Sequence, residues 1–194
     1  MYEFPKTDFH KNPGNAMEVK FYGKIDIKNA FAFLKFSKKG KVQKLLHLLK
    51  YQDRPDVGEF LGQWYGNELQ KSGMANQFDL VIPIPLHEQK LRKRGYNQSE
   101  AFAKGLAESM SVRMAPDLVK RVQNNDTQTR KGRLQRWQNV DGIFEVREKE
   151  QLSNKRVLLV DDIVTTGSTL EACARTIADA GAEIISVAAI AVAQ

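Results

Sequence analysis

The feature that most constrains this chain is one ordered string at residues 157–169, VLLVDDIVTTGST. It opens on four apolar residues, Val157, Leu158, Leu159 and Val160, passes through the acid pair Asp161 and Asp162, and ends in a Thr-Thr-Gly-Ser-Thr run. A short continuous apolar run bounded by turn residues reads as a buried strand. The string therefore specifies a strand over 156–160, a turn, and a helix running to Ala180, with Gly181 as its C-cap. In an open α/β sheet such a turn lies at the carboxyl edge, where ligands bind.

The composition of the turn narrows the ligand. Thr165, Thr166, Ser168 and Thr169 offer hydroxyls and backbone N–H groups at a helix N-terminus, a ready anion site. Gly167 lets the backbone approach without a Cβ. That suits a phosphate monoester, yet two carboxylates repel phosphate. The pair makes sense if the ligand carries hydroxyls a few ångströms from its phosphate, as ribose 5-phosphate does. Asp161 and Asp162 then accept hydrogen bonds from the 2′- and 3′-hydroxyls. The plainer reading, in which the acids cap a turn and the Thr/Ser run caps a helix, explains each piece alone but not their complete order. The string resembles the fingerprint of type I phosphoribosyltransferases, and 5-phosphoribosyl-1-pyrophosphate (PRPP) is the ligand that the resemblance implies. Carried over, it gives Asp161 and Asp162 as catalytic residues and Val164, Thr165, Thr166, Gly167, Ser168 and Thr169 as substrate contacts.

Elsewhere the chain alternates strands and helices. Residues 1 to about 30 have no steady period and read as irregular, with room for short strands. Val42, Leu45, Leu46 and Leu49 give residues 38–51 helical spacing, Pro55 ends that helix, and 57–69 forms another. This pair is expected to pack as an N-terminal helical hood. Strands follow at 78–84, 117–123, 142–146 and 184–192, with a helix over 98–110 capped by Asn97 or Ser99. The expected architecture is α/β: a type I phosphoribosyltransferase fold with a mostly parallel sheet flanked by helices. Residues 1–73 form an extension and hood, and 74–194 the core.

A hydrophobic share of 42% over 194 residues places the chain outside both the membrane and the disordered classes. With no apolar run of membrane-spanning length and no signal-like N-terminus, it reads as cytoplasmic. The one cysteine, Cys173, excludes an internal disulfide and a cysteine-rich zinc site. A formal charge of +7 points to a polyanionic partner, either nucleic acid or a phosphate-rich small molecule.

That charge is clustered. Residues 85–97, PLHEQKLRKRGYN, follow one strand and precede a helix, so they belong at the same sheet edge. If PRPP binds, Pro85, Leu86, His87, Lys90, Arg92 and Arg94 form a pyrophosphate loop; the alternative is a solvated basic helix start. His87 reads as a polar loop residue rather than a base. The polar, basic stretch 124–140 reads as a lid, with Arg130, Lys131 and Arg136 reaching the pyrophosphate, or else as a basic linker. Trp137 is a hydrophobic anchor or a base-stacking surface. Mg²⁺ is implied through PRPP, whose oxygens bring the ion, so no dedicated protein site is expected.

Beyond the loop, several strings together resemble the ComF family of competence-associated, phosphoribosyltransferase-like proteins. They are Leu46-His47-Leu48-Leu49-Lys50-Tyr51, Ile82-Pro83-Ile84-Pro85-Leu86-His87, Arg94-Gly95-Tyr96-Asn97-Gln98-Ser99, Thr127-Gln128-Thr129 and Arg136-Trp137-Gln138-Asn139-Val140. The resemblance implies phosphoribosyl transfer with release of pyrophosphate. As alternatives it leaves PRPP sensing without turnover, or a role with single-stranded DNA and the competence machinery during DNA uptake. In the DNA reading, Trp137 or Tyr96 would stack on bases. Members commonly carry a four-cysteine zinc module, which this sequence, with Cys173 as its one cysteine, does not contain.

Overall fold

The computed structural model describes residues 4–122 and 142–193. The elements in chain order are β1 (Ala30–Phe36), α1 (Lys41–Tyr51), α2 (Pro55–Lys71), β2 (Leu80–Pro83), α3 (Glu88–Arg94), α4 (Gln98–Met110) and β3 (Arg113–Met114). Then come β4 (Val119–Arg121), β5 (Phe144–Val146), β6 (Arg156–Val164), α5 (Ser168–Asp179) and β7 (Ile184–Ala193). Five strands form one parallel sheet in the order β1-β7-β6-β2-β3, and β4 and β5 form a separate antiparallel pair.

The sheet is covered on both faces, which is why its central strands read as unbroken apolar runs. Val157, Leu159, Val187 and Ala189 point to one face with Leu170, Cys173 and Ile177 of α5. Leu158, Val160, Ala188 and Ile190 point to the other with Leu46 and Leu49 of α1, Leu61 and Tyr65 of α2, and Phe102 and Leu106 of α4. The helices expected as an N-terminal hood therefore join α4 in covering one face of the sheet. The strand β1 was not expected. Its run AFAFLKF has no alternation that separates strand from helix; pairing with β7, from Ala30 opposite Val187 to Phe36 opposite Ala193, makes it a strand. The sheet thus runs across the expected division at 73/74.

Close helix packing holds that face. Gly58, Gly62 and Gly66 recur at one-turn spacing on α2 and face α4, where Gly62 lies against Gly105. A Cβ on Gly62 would lie 2.2 Å from the Phe102 carbonyl oxygen, and one on Gly105 2.1 Å from that of Glu59. Glycine is a poor helix former, so its use here is explained by backbone approach. Pro55 occupies the first turn of α2 rather than merely ending α1, because its missing N–H would have no helical partner there. No helix among the described residues is long and apolar enough to cross a membrane.

Candidate active site

Because β2 and β6 are neighbours and parallel, both chains leave the sheet at the same edge. From β6 the chain enters α5 on one face; from β2 it passes through α3 to α4 on the other. A crevice opens where neighbouring strands send their helices to opposite faces, and ligands in open α/β sheets bind in such crevices.

One wall is the turn at residues 165–169. Gly167 has φ of +85° at the N-cap of α5, a backbone state that favours glycine. The space there is closed as well, since an added Cβ would lie 3.1 Å from the Phe21 ring. Thr166 Oγ1 and Ser168 Oγ are 2.9 Å apart, and the Ser168 N–H donates to Thr166 Oγ1 at 3.4 Å. A niche of about 30 Å³ is lined by Asp161, Ile163, Val164 and residues 165–170. The first N–H groups of a helix lack partners within it and carry its positive end, so the niche has the chemistry of an anion cradle.

The acid pair lies within β6 rather than after it, since pairing with β7 continues through Asp161 opposite Ala189 to Val164 opposite Val192. Asp161 is half-buried and accepts from the Ser99 hydroxyl at 3.0 Å and the Asp162 N–H at 2.8 Å, both on Oδ1. Burial, and then the adjacent Asp162 charge, push its carboxyl up to about 7. Asp162 accepts the Ile163 N–H on Oδ1 at 2.6 Å, and its Oδ2 is ion-paired to Lys50 Nζ at 2.8 Å. Lys50 comes from the last turn of α1.

The string Arg94-Gly95-Tyr96-Asn97-Gln98-Ser99 braces this arrangement. Gly95 ends α3 with φ of +82°, and Arg94 donates to the Gln98 side chain at 2.8 Å. Tyr96 donates its hydroxyl to the Leu49 carbonyl in the last turn of α1. Asn97 caps α4 by accepting the Ser99 N–H at 3.1 Å, and its amide donates to the Ile84 carbonyl at 3.0 Å, just beyond β2. Ser99 then reaches Asp161. One short string thus ties the ends of α1, β2 and β6 together. Tyr96, offered by sequence as a stacking surface, is a half-buried strut.

On the far side of Lys50 is a cleft of about 670 Å³, whose lining includes Lys50, Tyr51, Lys90, Arg92, Arg94 and Asp53. Of the residues assigned to a pyrophosphate loop, Lys90, Arg92 and Arg94 lie together there on α3. Pro85 and Leu86 are half-buried in the connection after β2, outside the cleft's lining. His87 caps α3, its Nδ1 accepting the Gln89 N–H at 3.3 Å. Arg130, Lys131, Arg136 and Trp137 fall outside the described residues. Sequence reasoning missed Lys50 and Ser99 as members of the site; their presence in the strings LHLLKY and RGYNQS was the available signal.

Comparison with known proteins decides what this geometry belongs to. A profile of the phosphoribosyl transferase domain matches residues 97–194, half of the chain, including α4, the acid pair and the turn. The chain belongs to the phosphoribosyltransferase family, as a member of the ComF type. It is 34% identical over 147 residues to competence protein F of Haemophilus influenzae, covering 74% of this chain and 64% of that protein. It is 27% identical over 146 residues to the DNA utilization protein YhgH of Escherichia coli O6:H1, covering 74% of this chain and 63% of that protein. The match thus spans slightly under two thirds of these relatives. Among solved structures, the allosteric regulatory enzyme of purine biosynthesis superposes with a TM-score of 0.51 at 20% identity. That likeness covers 74% of this chain and 29% of the other, and shows the shared fold.

Proposed function

We propose that this ComF-type phosphoribosyltransferase binds PRPP and transfers its phosphoribosyl group with release of pyrophosphate. One observation carries the reading: a helix-opening turn, two adjacent carboxylates and a cationic cleft lie in sequence along one sheet edge, joined through Asp161, Asp162 and Lys50. In this reading the 5-phosphate rests on the N–H groups and hydroxyls of residues 165–169. The ribose hydroxyls donate to Asp161 and Asp162, and the pyrophosphate faces Lys90, Arg92 and Arg94. The C1′–O bond breaks with its electron pair going to pyrophosphate, while the acceptor's lone pair bonds to C1′ from the opposite side and its proton passes to solvent. Cations preorganised around the leaving group lower the barrier as charge develops there.

The donor set also fits a hard cation arriving with the substrate. Two neighbouring carboxylates, one with its charge held back by burial, welcome positive charge beside them. Mg²⁺ held by the substrate's own oxygens, with Asp161 and Asp162 on the ribose side, would offset pyrophosphate charge. Calorimetry with PRPP and Mg²⁺ tests the reading: binding by the wild type and its loss in Asp161→Asn and Asp162→Asn are expected. Unchanged binding in both variants would remove the assignment.

A second reading is favoured by the basic face of α3 and by the relatives named for competence and DNA utilization. In it the same cleft handles single-stranded DNA, with an affinity that falls steeply as salt is raised. No retention of a single-stranded oligonucleotide at low salt would eliminate it.

A further inference from the structure

Lys50 occupies an unusual position. Its ammonium group neutralises Asp162 at 2.8 Å, yet the same residue lines the cationic cleft with Lys90, Arg92 and Arg94. Its side chain is 22% exposed and that of Asp162 14%, so the pair is shielded from bulk solvent yet open to the cleft. A cation held between a sugar-hydroxyl acceptor and a basic cleft has two partners to choose from. Which one it takes depends on what fills the cleft.

Resting on the proposed PRPP reading, we infer that Lys50 is an exchanging cation: it guards Asp162 until substrate binds and then moves to the anionic group at the sugar's anomeric carbon. Ribose hydroxyls arriving at Asp162 compete directly with Lys50 for the same carboxylate. A ligand with an anion at C1 gives the displaced ammonium a new partner, so the exchange is nearly balanced. A ligand without one leaves Lys50 in a cleft already crowded with positive charge. Lys50 thereby discriminates in favour of sugars that still carry their leaving group, and against ribose 5-phosphate. The geometry is held by Tyr96, whose hydroxyl fixes the last turn of α1. The side chain provides the reach, since four flexible carbons let an ammonium change partners without moving the helix.

The test is the sign of the change for two ligands. With Mg²⁺ present, the full chain and its Lys50→Met variant are titrated calorimetrically with PRPP and, separately, with ribose 5-phosphate. Lys50→Met is expected to weaken PRPP binding about tenfold or more, the scale of one lost charge-assisted hydrogen bond. It is expected to tighten ribose 5-phosphate binding severalfold, because Asp162 is no longer occupied. Lys50→Arg should restore part of the PRPP affinity, and a melting curve for each variant checks folding. Equal weakening for both ligands would overturn the inference, since Lys50 would then merely hold Asp162 in place. So would no change for either. If the wild type binds PRPP and only the Lys50 pattern fails, the functional reading survives and the exchange does not. If the wild type binds no PRPP, both fall.

Discussion

Ser99 and Asp161 meet at 3.0 Å, the serine hydroxyl donating to Oδ1, although they lie 62 residues apart in the chain. The contact joins the first turn of α4 to the carboxyl half of β6. It couples the RGYNQS string, which forms no part of the phosphate turn, to the carboxylate that most needs help remaining charged.

Removing that donor shifts the acid. The Ser99 hydroxyl favours the ionised carboxylate, opposing burial and the adjacent charge. Ser99→Ala is expected to raise the Asp161 pKa further and to move the acidic limb of PRPP affinity to higher pH. Near pH 7 affinity should fall severalfold, while stability changes by about 1 kcal/mol. Calorimetric titrations between pH 6 and 9 check both. An unshifted limb with a uniform loss would indicate packing alone.

The same carboxyl makes stability depend on pH. Its folded pKa, about 7, stands above its unfolded value. Between the two the folded state holds the extra proton, so stability falls as pH rises through that window. Asp161→Asn should remove this slope, which is bounded by about 1.4 kcal/mol per pH unit. Urea unfolding at intervals from pH 4 to 8 should show the variant gaining on the wild type as pH rises, then holding level.

At the α2–α4 contact, alanine should harm rather than help. It improves intrinsic helix propensity by about 1 kcal/mol over glycine. At Gly62 its Cβ would sit 2.2 Å from backbone oxygen, so the helices must separate. Gly62→Ala and Gly105→Ala are each expected to lose about 1–3 kcal/mol net, the usual scale of overpacking. Gly58→Ala, whose nearest neighbour is the Ala101 Cβ at 3.0 Å, should lose less. Denaturant midpoints give the order.

Gly167→Ala combines two penalties, a side chain in the left-handed region and a Cβ 3.1 Å from the Phe21 ring. About 1–2 kcal/mol is expected from the backbone alone. Pairing it with Phe21→Leu should recover the steric part and leave the backbone part. Melting temperatures and PRPP affinity of the single and double variants separate them.

What the sequence by itself determined is local: the strand–turn–helix around residues 157–169, the helix Gln98–Met110 with its cap narrowed to Asn97 or Ser99, and the family strings. Caps, turns and apolar periods act over a few residues, so the chemistry that sets them is written within a few positions. Tertiary structure alone decided that AFAFLKF is an edge strand, because only the partner β7 distinguishes it from a buried helix. It also decided that Asp161 and Asp162 remain in β6, where register pairs with β7 at Asp161, Ile163 and Val164 extend the strand past the apolar run. The Lys50–Asp162 pair and the Tyr96–Leu49 strut join segments distant in sequence. Their meeting depends on which strands neighbour which in the sheet, and no local spacing encodes that order.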